Sequence, residues 1–377
     1  MVERDNRTND GDGAGRQTVV SIDAMGGDAG PAAVVAGIAA AMRDRPGLHV
    51  LLHGREAELS PLLARTPALA GRVTLCDAPG IVTMSDKPAH VMRHGRETSM
   101  WRTIDAVREG RATAAVSCGN TGALMGIAML RLRRLEGINR PAIASLWPSR
   151  NPGGFNVMLD MGADVRADPE DLVQYAVMGA AYAHTGLGIA RPRVGLLNVG
   201  TEENKGRSEL REAGELLTAR AATGGFDYVG FVEGLDLPSS RVDVIVTDGF
   251  TGNVALKTAE GTARLFADFL REAFGAGVLS RFAALLALNS LRRLRRRIDP
   301  RRVNGGVFLG LTGTVVKSHG GADETAIAAA IGLAYRLAAA GLSERIAARV
   351  ASVRASGQDE PQRRPGADAG KESGFSG

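Results

Sequence analysis

Short, continuously apolar runs alternate along this chain with Ala- and Leu-rich stretches, and nearly every joint between them is a glycine turn. TVVSID at 18–23 leads through such a turn to Pro31, which suits the first helical position, and then to AAVVAGIAAAM. LHVLLHG (48–54) and RVTLC (72–76) read as further strands. AAVS (114–117) passes through CGNT into the helical GALMGIAMLRLRRL. FNVMLD (155–160), VGLLNV (194–199), VDVIVTDG (242–249) and VVKSHGG (315–321) each run into a turn and a helix. Strands that are apolar on both faces and alternate with helices require a mostly parallel sheet covered on both sides. The fold class is therefore α/β.

Of the 377 residues, 44% are hydrophobic, enough for a sizeable core. Residues 1–17 and 355–377 are polar and Gly-rich without a core pattern, and are expected to be disordered tails. The expected folded unit is one α/β catalytic domain at 18–354. No run reaches the ~18 apolar residues of a spanning helix, and MVERDNRTNDGDGAGRQ lacks the apolar stretch of a signal peptide. Two cysteines, Cys76 and Cys118, make neither a zinc site nor a disulfide framework, so a reducing cytoplasm is the natural compartment. A net charge of only +5 and 4% aromatics argue against a base-stacking nucleic-acid platform.

Residues 264–298 depart from the pattern as an amphipathic helical excursion. Leu265, Phe266, Phe269, Leu270 and Ala273 share one helical face, opposite Arg264, Asp268, Arg271 and Glu272. GAG at 275–277 breaks the helix. Val278, Leu279, Phe282, Leu285, Leu286 and Leu288 follow, then Arg292, Arg293, Arg295, Arg296 and Arg297. Two readings are open: a core helix with a solvated basic end, or a segment that touches an anionic membrane surface.

Ligands of open parallel sheets sit outside the carboxyl ends of the strands, and the polar residues collect in those loops. They are Asp23 to Pro31 with Gly26 and Gly27; Ser117, Cys118, Gly119, Asn120, Thr121 and Gly122; Asn198 to Gly206; and Asp248 to Asn253, with Lys257 a turn later. His319, Gly320 and Gly321 follow the last strand. Backbone N–H groups and small donors at strand-to-helix turns suit a phosphate, although any one such turn is more often just a helix cap. Several at one sheet edge weigh more than one. Neither a G-x-G-x-x-G nor a Walker pattern is present. Cys118 reads as a small packing residue. His319 reads as a general base or a turn residue, Lys205 and Lys257 as ligand contacts or solvated charges, and Arg93 and Arg96 as contacts to an acidic partner or surface charges.

SIDAMGGDAGP (21–31), SCGNTGALM (117–125), LDMGADVRADPEDL (159–172), VGLLNVGTEENKG (194–206) and DVIVTDGFTGNVALKTAEG (243–261) resemble the bacterial phosphate acyltransferase family, PlsX, the acyl-acyl-carrier-protein:phosphate acyltransferases. The resemblance spans about 18–340. Arg96-Glu97-Thr98-Ser99-Met100 departs mildly from the family pattern, and GGVFLGLTGTVVKSHGG at 305–321 matches it less closely. The resemblance implies a Rossmann-like three-layer α/β/α fold related to isocitrate and isopropylmalate dehydrogenases, and a homodimer. It implies transfer of a fatty acyl group from acyl carrier protein to inorganic phosphate, with no metal or redox cofactor. The acyl phosphate would pass to a membrane glycerol-3-phosphate acyltransferase for phospholipid synthesis. The protein would be cytoplasmic and peripherally membrane-associated.

The most economical chemistry is direct attack by bound phosphate on the thioester, because a thiolate leaves readily and the need is for orientation and charge neutralisation. On this reading Lys205, Asn253 and His319 are catalytic. Ser117, Gly119, Asn120, Thr121, Gly122, Gly26 and Gly27 line the phosphate site, and Asp23 and Asp248 fix its loops. Arg93, Arg96, Val278, Leu279, Leu286, Arg292 and Arg293 contact the carrier protein or membrane. The alternatives are an acyl-CoA-dependent phosphate acetyl- or butyryltransferase, a nicotinamide-dependent dehydrogenase of similar fold, and a non-catalytic membrane scaffold.

Overall fold

The computed structural model describes residues 18–280, 285–289 and 305–358. The expected tails, apart from residues 355–358, lie outside that range, as do Phe282 and the arginines at 292–297. Eleven strands form one sheet in the order β3-β2-β1-β4-β11-β10-β5-β6-β9-β7-β8. They are β1 (Thr18–Asp23), β2 (Leu48–Gly54), β3 (Val73–Asp77), β4 (Ala114–Ser117), β5 (Ala142–Pro148) and β6 (Phe155–Leu159). The remainder are β7 (Arg193–Leu197), β8 (Asp227–Val232), β9 (Val244–Val246), β10 (Gly306–Leu309) and β11 (Thr314–Lys317).

Helices cover both faces, and strand alternation divides the apolar residues between them. One face is packed by α1 (Gly30–Met42), α6 (Pro169–Leu187), α7 (Ser208–Gly224), α9 (Glu324–Ala339) and α10 (Leu342–Gln358). The other is packed by α3 (Pro88–His94), α4 (Ser99–Arg108), α5 (Thr121–Leu132) and the flank of α8 (Gly249–Gly275). The remaining helix, α2 (Glu56–Ala64), follows β2. The last helix continues to Gln358. Its capped start explains the long α6: Asp168 and Asp171 form a reciprocal capping box, with Pro169 at the first position.

Seven of the ten strand pairs are parallel. The other three, β11–β10, β10–β5 and β5–β6, are antiparallel and adjacent. Three successive reversals leave β6, β9, β7 and β8 running opposite to β3, β2, β1, β4 and β11. The carboxyl ends of the two sets therefore lie at opposite edges of the sheet. This overturns the expectation that all the polar loops share one edge.

Beyond the sheet, α8 leaves the body: Leu265, Phe266, Phe269 and Leu270 are about half exposed. The helical residues Val278, Leu279, Leu285 and Leu286 are exposed as well. Within the single chain these described residues of the segment are therefore not core. Among the described residues no single helix is long and apolar enough to cross a membrane.

Candidate active site

At the edge where β1, β4 and β11 end, three polar side chains stand in a row. Register pairs Ile22 with Val116, which sets Asp23 beside Ser117, and pairs Ser117 with Lys317. Val315 and Ala115 pack on the α4–α5 face, so alternation places Lys317, Ser117 and Asp23 on that same face. Asp23 is buried. It accepts hydrogen bonds from Ser99 Oγ at 2.6 Å, Ser117 Oγ at 2.8 Å and the Met25 amide at 3.2 Å. Burial raises its pKa above the ordinary carboxylate value, and the two serines oppose that rise. Ser117 Oγ also accepts from the Gly119 amide at 3.0 Å, which ties the loop after β4 to Asp23.

The glycines let these loops close over the row. A Cβ on Gly26 would lie 2.4 Å from Asp23 Oδ2 and 2.8 Å from the Gly119 nitrogen. Gly27 has φ +116°, and a Cβ there would lie 2.9 Å from Cys118 Cβ. Cys118 itself is buried on the opposite face, and burial pushes its thiol up, which suits packing and not nucleophilic attack.

Asn120 caps α5: its Oδ1 accepts from the Ala123 amide at 3.0 Å. Its Nδ2 donates to the carbonyls of Met84 and Asp86, both at 3.0 Å. The side chain expected to hold phosphate is thus spent on the cap and on the loop at 83–86. What the loop offers to a ligand is the first-turn backbone of α5, at Thr121 and Gly122, and the positive end of its dipole. His319 is exposed, with Nδ1 accepting from the Gly321 amide at 3.1 Å. Arg93 and Arg96 are exposed on α3 and the turn after it, beside α5.

The second set of loops closes the opposite edge. Asp160 is fully buried after β6 and accepts from the amides of Ile143, Gly162, Ala163 and Asp164 at 2.8–3.1 Å. Burial raises its pKa against the pull of those amides. Asp248 caps α8 by accepting from the Thr251 amide at 2.8 Å and pairs with Arg207. Burial pushes its pKa up, but Thr251 and Arg207 outweigh it and hold the carboxylate low. Asn253 donates to the Met161 carbonyl at 3.2 Å. Lys205 pairs with Glu202 at 2.7 Å in an exposed loop.

The loops that carry Lys205 and Asn253 therefore leave the sheet at the end opposite to the loop of Asn120, Thr121 and Gly122 within one chain. Five strand spacings, roughly 24 Å, separate β4 from β9, and the loops leave by opposite edges. The antiparallel strands β10 and β5, absent from the sequence reading, are the cause. Sequence reasoning also missed Ser99 and Lys317. A lysine at the end of an apolar strand was the available signal, in a chain with 5 Lys against 41 Arg.

The chain matches the family model described as "Fatty acid synthesis protein" over residues 18–345. It belongs to this family. It is 67% identical over 350 residues to a phosphate acyltransferase of Cereibacter sphaeroides, covering 93% of this chain and 95% of that one. It is 67% identical over 329 residues to the phosphate acyltransferase of Paracoccus denitrificans, covering 87% of this chain and 88% of that one. The fold is similar to that of the EutD phosphotransacetylase from Staphylococcus aureus, with TM-score 0.56 and 13% identity over 85% of this chain and 94% of that one. A phosphotransacetylase from Streptococcus pyogenes is alike at TM-score 0.56 and 15% identity, over 86% and 94% of the two chains.

Proposed function

We propose that this protein transfers a fatty acyl group from acyl carrier protein to inorganic phosphate, giving acyl phosphate and the free carrier-protein thiol. The observation that carries this reading is the near-full-length identity to proteins named phosphate acyltransferase. An edge fit for an anion supports it: a row ending in a lysine, beside the open first turn of α5 and glycine backbone that permits close approach. Phosphate oxygen attacks the thioester carbonyl carbon, the C–S bond breaks, and the thiolate leaves and is protonated from solvent. Thr121 and Gly122 amides receive the phosphate, while Asp23, Ser99 and Ser117 position the loops around it. Exposed Arg93 and Arg96 flank this edge and meet the acidic carrier protein.

The same reading assigns the acyl phosphate to a membrane glycerol-3-phosphate acyltransferase and phospholipid synthesis. It makes the protein a cytoplasmic homodimer that docks on the membrane through the exposed residues Val278, Leu279 and Leu286. Basic residues Arg292 and Arg293, beyond the described residues, add charge to that contact.

The test uses purified protein and long-chain acyl carrier protein, with phosphate present or omitted and acyl-CoA as a parallel donor. Thiol release should require phosphate, yield acyl phosphate and favour the carrier-protein donor. Cys118→Ala should retain most of this activity. Phosphate-independent hydrolysis as the sole reaction would overturn the reading, and preference for acyl-CoA would move the donor to the coenzyme.

A further inference from the structure

The polar row at the first sheet edge continues past Lys317. Gly306 of β10 pairs with Lys317 and bears no side chain. The next register position on β5 is Ser145, because Val307 pairs with Ala144. Asp23, Ser117, Lys317, Gly306 and Ser145 therefore share one face across five neighbouring strands, the face on which α5 and the flank of α8 pack. α8 starts at the opposite end of the strands, after β9, and Lys257, two turns into it, is close enough for its charge to repel that of Lys317.

Lys317 is the described lysine that is not exposed; Lys87, Lys205 and Lys257 all are. Its ammonium donates to the carbonyls of Cys118, at 3.3 Å, and Ser318. Among the described residues no carboxylate lies within ion-pair distance of it. Asp23 and Asp28 act on it through space only, while Lys257 repels it. Lys257 itself pairs with Glu260 at 3.2 Å, so Lys317 is the ammonium of the two left without a carboxylate partner, and an anion that reaches it completes its charge.

We propose that Lys317, assisted by Lys257, is the cation that binds the acceptor phosphate, on the sheet face shared by α5 and α8. The inference rests on the acyl-transfer reading for its substrate and deepens that reading by naming the residue. Lys317 anchors two loop carbonyls and presents its remaining charge to the ligand. Lys257 adds its charge from α8, where Glu260 holds it at 3.2 Å. The environment of Lys317 agrees: burial lowers its pKa to about 8, Lys257 lowers it further, and the Cys118 thiol, Asp23 and Asp28 oppose the fall. A bound phosphate dianion would raise it and keep the ammonium charged.

The experiment compares wild type, Lys317→Met, Lys317→Arg and Lys257→Met. Inorganic phosphate binding is measured by calorimetry, and steady-state rates give KM for phosphate and for the acyl donor separately. Lys317→Met should raise the phosphate KM about tenfold or more and weaken phosphate binding equally, with the donor KM changed little. Lys317→Arg should recover part of the loss. Lys257 is exposed, so its variant should fold even where Lys317→Met does not. Lys257→Met should raise the phosphate KM less, and should move the alkaline limb of kcat/KM for phosphate to higher pH, because a repelling charge beside Lys317 is gone. If Lys317 merely staples the loops, phosphate and donor KM will change together and the alkaline limb will stay in place in Lys257→Met. That result would overturn the inference. Failure of the acyl-transfer reading is separate: wild type would then show no phosphate-dependent thiol release, whatever the variants do to phosphate binding.

Discussion

At the scale of single residues, the buried side-chain polar atoms without a hydrogen-bond partner among the described residues fall in two groups, one on α6 at Asp171, Tyr175, Tyr182 and Thr185 and one beside Asp23. His53 pairs with Asp23 across β1 and β2 and is buried, yet neither ring nitrogen has a hydrogen-bond partner. Ser21 Oγ and Thr103 Oγ1, from β1 and from α4 above it, are likewise unsatisfied. Burial lowers the His53 pKa to about 4, with Arg111 and Arg102 adding repulsion. The folded state thus prefers neutral His53, while the unfolded chain takes up its proton near pH 6.5. Stability is complete above pH 6.5 and is lost as the pH falls towards 4, by about 3 kcal/mol in all. Chemical denaturation of wild type and His53→Leu at pH 7 and pH 4 checks this. The variant should gain about that much relative to wild type at the lower pH; an unchanged difference would show that His53 finds a proton partner in the fold.

At the scale of elements, strand and helix positions were legible where the residues themselves fix the backbone. TVVSID, LHVLLHG, AAVS and VGLLNV became β1, β2, β4 and β7 because continuous β-branched and leucine runs suit a strand buried on both faces. Strand direction was not read. IASLWP and GVFL, now within β5 and β10, are short apolar runs followed by SRNPGG at 149–154 and GLTG at 310–313, turns that signal a reversal, but periodicity carries no information on which further neighbour a strand will choose. Those two strands decide which loops meet. The site followed the same division: the glycine loops were readable from composition, whereas Ser99 and Lys317 became neighbours of Asp23 and Ser117 only through sheet order.

Asn120 shows how an element's start serves the site. Its side chain caps α5 and also holds the loop at 83–86 through Thr83, Met84 and Asp86 carbonyls. Replacing it with Ala leaves the Ala123 amide and those carbonyls without their partner, at a cost of about 1–2 kcal/mol. Asn120→Ala should therefore lower the midpoint of chemical denaturation by that amount and reduce turnover through a displaced helix start. Asn120→Asp, which keeps the cap and loses the amide donors, should fall between the two proteins in stability. Equal losses for both variants would assign the effect to the loop and not to the cap.

At the scale of the whole molecule, the body is closed and the α8 extension is not. Exposed Leu265, Phe266, Phe269 and Leu270, together with Val278, Leu279, Leu285 and Leu286, are more apolar surface than a soluble monomer leaves bare. Its near part suits contact with a second copy of the chain, and its far part suits the headgroup region of a bilayer. Each basic residue near an anionic surface adds about 1 kcal/mol before screening, so the arginines at 292–297 would bias the contact towards anionic lipid. Binding to anionic vesicles should accordingly exceed binding to neutral ones and weaken with salt. A triple variant with Val278, Leu279 and Leu286 made polar should leave the vesicles while keeping its oligomeric state and its activity on soluble acyl carrier protein. These side chains are already exposed, so their replacement has no core to disrupt. If sedimentation instead shows the variant dissociating to monomers, the far part of this surface is an interface between copies, and the membrane contact must be sought elsewhere.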